Sequence, residues 1–198
     1  GAQAQVGCAW SLARFYFAQA LLAVEHMHQR GIAHRDIKPE NMLITAQGHL
    51  KFVDFGTAKD YLEGDLNGPE FVGTPEYLSP ETVRSRRCGV ECDLWALGVV
   101  LFQMTMGYTP FGAPSPYLTF LRIKRARLVL PPFVPEELAS MLRLLLTKDA
   151  KTRLRGAYGL EGDAPAPTTV NYDTLLRHDM FCHWGRARTA GWAKMRRE

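Results

Sequence analysis

The chain has 198 residues, 46% hydrophobic and 22% charged, which is enough for one well-filled core and too little for two full domains. Its formal charge of +4 is spread along the chain, with only a small terminal cluster at Lys194, Arg196 and Arg197, so no nucleic-acid-binding stripe is expected. The longest wholly apolar run, residues 94–102, is far below the roughly 20 residues that cross a bilayer, and no membrane span is expected.

Gly1 opens a short run of small residues that lacks the basic flank and apolar region of a secretory signal, and the chain reads as a piece of something longer. Apolar residues at helical spacing (Leu12, Phe15, Tyr16, Leu22) predict a helix over residues 10–30, with Gly31 as its stop. Two short extended runs follow, residues 42–44 and 50–53, joined by Thr45-Ala46-Gln47-Gly48-His49, the pattern of a hairpin. Residues 56–80 show no sustained period and are rich in Gly, Pro and polar side chains, so they predict a long loop with a functional reason for its length. Residues 90–106 are apolar nearly all round and predict a helix buried on every side. Helical patterns resume at 116–125 and 136–146, and a Gly/Pro/Ala-rich insertion at 156–171 precedes a last short helix near 172–177. The expected fold class is α+β, mainly α.

Four cysteines (Cys8, Cys88, Cys92, Cys182) are too few and too scattered for a disulfide scaffold, which points to a reducing, intracellular compartment, cytoplasmic with the nucleus also open. Cys88 and Cys92, with His178 and Cys182, present two four-residue spacings, but neither matches a common paired-ligand zinc knuckle, so buried or surface thiols are expected.

The chemistry flanks the predicted hairpin. His34-Arg35-Asp36-Ile37-Lys38-Pro39-Glu40-Asn41 precedes its first strand and Asp54-Phe55-Gly56 follows its second, so the turn-back brings Asp36, Asn41 and Asp54 together. A carboxylate to orient a hydroxyl, with oxygen ligands for hard cations, is what phosphoryl transfer requires. Further on stand Gly73-Thr74-Pro75-Glu76-Tyr77-Leu78-Ser79-Pro80-Glu81, then Asp93-Leu94-Trp95-Ala96-Leu97-Gly98, then Arg153 after Asp149. In that order the set resembles the signatures of the protein kinase family over roughly residues 10–184. Lys38 two positions after Asp36, and Thr74 before Pro75, resemble the serine/threonine enzymes. Residues 54–59, 71–74, 78–81 and 93–98 resemble the AGC group, most of all its phosphoinositide-dependent kinases, with the general AGC form at residues 74–77.

The resemblance implies ATP-dependent phosphorylation of protein substrates, other AGC kinases among them, with ATP and Mg2+ as cofactors. It implies Asp36 as catalytic base, Lys38 as phosphate contact, Asn41 and Asp54 as magnesium ligands, and Thr74 as a hydroxyl bridging Asp36 and Lys38. Asp93 is expected to accept from the backbone near His34 and Arg35, and Glu81 and Arg153 to form a buried ion pair. The resemblance puts Glu70 where the group carries a phosphorylated hydroxyl gripped by Arg35 and Lys59, with a solvated loop acid and Arg35 paired elsewhere as the other open reading, and Thr57 implies a threonine acceptor. Glu40 has three open readings: arginine recognition, a ribose-side role, or a structural one. The residues divide into a large-lobe kinase portion at 1–184 and a basic tail at 185–198. No Gly-rich loop, strand lysine or partnering helix glutamate occurs among them, so the small N-terminal lobe of the same polypeptide is missing and residues 1–198 alone are expected to be inactive. A truncated scaffold module and a pseudokinase remain open alternatives that the upstream sequence would decide.

Overall fold

The computed structural model describes residues 7–61, 73–157 and 173–184. Helix α1 spans Trp10–His28, and Gly31, at φ 77°, turns the chain out of it. Only part of the apolar spacing read from the sequence faces the core. Leu12 and Phe15 are exposed, whereas Ala13, Phe17, Ala20, Leu21, Val24 and Met27 are buried. Both series have helical spacing, but alanines on the second let α1 approach the central helix closely, which decides the face.

Strands β1 (Ile32–Ala33), β2 (Met42–Ile44), β3 (Leu50–Phe52) and β4 (Lys59–Asp60) form two antiparallel pairs, β2 with β3 and β1 with β4. In the hairpin Met42 faces Phe52 and Ile44 faces Leu50. Gly48, at φ 80°, closes its turn by donating to the Thr45 carbonyl at 2.9 Å. The β1–β4 pair corrects the expectation of a long loop over residues 56–80, because β4 ties the start of that stretch back beside β1, which leads into residues 34–41. The far end of the stretch is a 3-10 turn, Pro75–Tyr77, followed by helix α2, Pro80–Ser85. Pro80 occupies the first helical position and the Ser79 hydroxyl accepts from Thr82 N, a proper helix start.

Helix α3, Val90–Met106, is the axis of the core. Every residue from Cys92 to Phe102 is buried, and Gly107 at φ 78° ends the helix. Around it pack α1, α5 (Glu136–Leu145) and α6 (Ala150–Ala157). Gly98 permits the α3–α5 approach, since a Cβ there would lie 2.8 Å from Leu145 Cβ. Helix α4, Pro116–Arg125, packs against α2 and the Pro75–Tyr77 turn, and α7, Asp173–Leu176, is followed by a 3-10 helix, Asp179–Trp184. No helix among those residues is long and apolar enough to cross a membrane. Cys8, Cys88 and Cys92 are free thiols, and no group of three His, Cys, Asp or Glu side chains is placed to hold a metal among the described residues.

Candidate active site

The loop from His34 to Asn41 is held from beneath by one carboxylate. Asp93, fully buried in the first turn of α3, accepts from His34 N and Arg35 N, each at 2.8 Å, and contacts His28 Nε2 at 2.8 Å. Two backbone donors and a ring nitrogen satisfy a charge that would otherwise be costly at this depth. The anchor forces Arg35 to φ 67°, a left-handed conformation uncommon outside glycine, and so turns the chain sharply to present Asp36.

Asp36 is the hub. Its Oδ2 lies 2.7 Å from Lys38 Nζ and accepts from Asn41 Nδ2 at 3.1 Å, while its Oδ1 accepts from the backbone N and the hydroxyl of Thr74, both at 3.2 Å. Lys38 Nζ also donates to Thr74 Oγ1 at 2.8 Å, so the hydroxyl accepts from the ammonium and donates to the carboxylate. Burial would raise the Asp36 carboxyl, but the Lys38 ammonium and the two Thr74 donors outweigh it and hold the group below its ordinary value. Gly73, at φ 108°, lets the segment carrying Thr74 come in, since a Cβ there would stand 2.9 Å from Leu78 Cδ2 and 3.2 Å from the Arg35 carbonyl.

Asn41 is buried and locked to the same hub, its Nδ2 also donating to the Asp36 carbonyl at 2.9 Å. With the amide nitrogen so engaged, the side-chain oxygen is the atom left for a cation. Across the hairpin, Val53 N donates to the Asn41 carbonyl at 3.0 Å and places Asp54 beside it. Asp54 is exposed, sits at φ 61°, and accepts from Gly56 N at 3.3 Å. An amide oxygen and an exposed carboxylate on neighbouring strand ends suit a hard divalent cation.

The remaining candidates lie around this centre. Arg35 Nε donates to the Thr57 carbonyl at 2.6 Å, and the Thr57 hydroxyl donates to the His34 carbonyl at 2.9 Å, which fixes the segment after Gly56 to the loop from His34 to Asn41. Lys59 is on β4, and Glu70 lies outside the described residues. Arg153 is fully buried and grips Glu81 with both terminal nitrogens, at 2.7 and 3.1 Å. Its other donors reach the carbonyls of Thr147 at 3.0 Å and Glu91 at 2.6 Å, and its guanidinium carbon lies 5.1 Å from the Trp95 ring centre. Tyr77 donates to Gln103 Oε1 at 2.6 Å. Burial, with negative charge from Glu40 and then Glu76, pushes its phenol up to about 12.

Three supports carry no signal in the sequence. His28 reaches Asp93 across 65 positions, Glu76 accepts from the Thr109 hydroxyl at 2.6 Å, and Gln19 accepts from Leu50 N at 2.9 Å to hold the hairpin against α1.

Residues 3–161 match the protein kinase domain family. The chain is similar to putative ribosomal protein S6 kinase alpha-1 of Caenorhabditis elegans, 40% identical over 149 residues covering 75% of this chain and 19% of that protein. It is also similar to ribosomal protein S6 kinase beta of the same organism, 40% identical over 144 residues covering 73% and 26%. With human ribosomal protein S6 kinase alpha-2 it shares 37% identity over 170 residues, covering 84% and 23%. The chain thus spans about a fifth to a quarter of the length of these curated relatives.

Proposed function

Since this chain belongs to the protein kinase family and carries its serine/threonine form, we propose that the protein transfers a phosphoryl group from ATP to a serine or threonine hydroxyl of protein substrates. The observation that carries this reading is the closed set of contacts among Asp36, Lys38 and Thr74, with Asn41 fastened to the same carboxylate. Asp36, ionised at neutral pH, orients the incoming hydroxyl and accepts its proton as the oxygen attacks. Lys38, held by two oxygens, offsets negative charge on the group in transit. Magnesium with ATP, when bound, neutralises the phosphates and supplies the group transferred, and Asn41 Oδ1 and the Asp54 carboxylate are the protein atoms that would hold the metal. Thr74 couples the activation segment to the base, so Asp36 is fully positioned only when that segment is in place.

The other wall of the nucleotide site belongs to a lobe not found in residues 1–198, and we propose that these residues act as the kinase portion 1–184 with a basic tail. Within the AGC group, residues 54–59, 71–74, 78–81 and 93–98 favour a place beside the phosphoinositide-dependent kinases, with other AGC kinases as substrates. Free cysteines support a reducing, intracellular site of action. The test is phosphorylation of paired basic peptides differing only in threonine or serine. The full-length protein should prefer threonine, as Thr57 implies, and residues 1–198 alone should give no transfer above an Asp36→Asn control. A full-length protein that phosphorylates neither peptide would overturn the reading.

Glu70 stands in this proposal as a fixed negative charge where relatives of the AGC group carry a phosphorylated hydroxyl, with Arg35 and Lys59 as its cations. A carboxylate brings about one charge against roughly 1.5 to 2 for phosphate, so the lock is permanent and weaker.

A further inference from the structure

Acids and bases nearly balance over the whole chain, 20 against 24, yet residues 107–135 contain no Asp or Glu and carry Arg122, Lys124, Arg125 and Arg127. From residue 120 to residue 135 there is also no Ser, Thr, Asn, Gln, His or Tyr. Ala126, at φ 52°, ends α4 in a left-handed conformation, and the segment after it alternates between core and solvent. Ala126, Leu128, Leu130 and Val134 pack against the core, while Arg125, Arg127, Val129 and Phe133 are exposed. Val134 N donates to the Pro131 carbonyl at 3.1 Å, so Phe133 stands inside a turn that two prolines stiffen. Phe133 is 77% exposed and Val129 70%, more than any other large apolar side chain among the described residues. Arg84 donates to the Lys124 carbonyl at 3.2 Å and brings one more cation to the end of α4.

Cations in the last turn of α4 offset the negative end of its dipole, which accounts for Lys124 and Arg125. It does not account for Arg127 beyond the helix, nor for two large apolar side chains held in water beside it. None of these three cations pairs with a carboxylate among the described residues. A protein partner is recognised through roughly ten hydrogen bonds as well as apolar contact, and this segment has no uncharged polar side chain to supply them. Cations flanking projecting apolar side chains suit an anionic lipid surface instead, where the cations stay at the level of the headgroups and the apolar tips enter the acyl boundary. The proline-stiffened turn holds Phe133 ready, so little freedom is lost on insertion.

We propose that Lys124, Arg125 and Arg127, with Val129 and Phe133, form a peripheral docking face for an anionic phospholipid membrane. The cations meet the headgroups, and Val129 and Phe133 insert beneath them. This binding chemistry does not depend on the phosphotransferase reading above. The test is co-sedimentation of the full-length protein with vesicles of equimolar phosphatidylserine and phosphatidylcholine, against vesicles of phosphatidylcholine alone. The mixed vesicles should bind about tenfold or more tightly than the neutral ones, and the difference should shrink as salt is raised. Lys124→Glu with Arg127→Glu, and separately Val129→Ser with Phe133→Ser, should each weaken binding to the mixed vesicles about tenfold or more without moving the thermal midpoint. Lys124→Arg with Phe133→Leu should retain it. Equal binding to the two vesicles, or unchanged binding in either disruptive pair, would overturn the membrane face. Absence of binding to the mixed vesicles would do the same, and tight binding of polyglutamate in their place would assign the face to an acidic protein partner.

Discussion

The Lys38–Asp36 and Arg153–Glu81 pairs are both 2.7 Å long, yet their surroundings give them different work. Lys38 and Asp36 keep 20% and 10% of their side chains exposed, and one oxygen of Asp36 accepts from Thr74, a residue of another segment. Arg153 has no exposure, Glu81 has 15%, and the guanidinium is saturated by carbonyls of Thr147 and Glu91 as well as by its carboxylate. A cation that keeps a fifth of its side chain exposed, as Lys38 does, leaves room for a substrate. A cation with no exposure and every donor engaged, as Arg153 is, can only hold two segments together, here α2 and the start of α6. Ion-pair length alone does not tell function from support. Exposure and the number of remaining partners do.

The largest expected effect follows from breaking the sealed pair. Arg153→Ala strands Glu81 and two carbonyls and opens a void beside Trp95, and it should cost about 3–5 kcal/mol. In a chain of this size that is roughly 6–20 °C in thermal midpoint. Changing both partners to apolar side chains, Glu81→Leu with Arg153→Met, should recover part of the loss, because no lone charge is left buried while the Thr147 and Glu91 carbonyls still lack their donor. An Arg153→Ala protein with an unmoved midpoint would erase the contrast.

Next in size is the proposed fixed lock. Glu70→Gln should lower the rate several-fold in the full-length kinase, since the amide keeps an acceptor oxygen and loses only the charge-assisted part of the bond, and activity should survive phosphatase treatment. Full activity in Glu70→Gln would remove Glu70 from the mechanism.

The smallest effect is a pH dependence of the open pair. The Asp36 carboxyl is held below its ordinary 3.8, so its contribution to stability is complete above that value and is lost as pH falls through the lower folded value. Asp36→Asn should flatten the acid limb of a stability profile below about pH 4 and lower the plateau near neutrality by the contribution the ionised carboxylate makes there. For the same reason an acid limb in the rate profile between pH 5 and 8 should persist in its shape only if another group causes it, which titration of kcat/KM checks.

Much of the architecture is legible in the sequence. The run that predicts a buried helix over residues 90–106 becomes Val90–Met106, because an all-apolar stretch bracketed by Gly89 and Gly107 leaves few alternatives. The hairpin is equally plain, and with it the neighbourhood of Asn41 and Asp54, since a five-residue turn leaves the flanking residues little freedom. Three features escape. Helix α2 has only six residues, too few for a period to show, although Ser79 and Pro80 carry a start signal. The β1–β4 pair has two residues on each strand and joins segments 26 positions apart. The packed face of α1 is not fixed by its apolar spacing, because alanine burial is decided by the approach of α3, which no local pattern contains. At the site, the motif residues are readable one by one, but His28 under Asp93 and Thr57 on Arg35 arise only once distant segments meet.

The account stands most directly on Asp36→Asn in the full-length protein, with kcat for a threonyl peptide and the thermal midpoint measured on one preparation. The expected result is a fall in kcat of about 10²–10⁴-fold with a midpoint shifted by no more than the roughly 1 kcal/mol that a partly exposed pair contributes. Retained turnover, or a loss of turnover that follows a collapse of the midpoint as in Arg153→Ala, would contradict the claim that the open pair is the catalytic one.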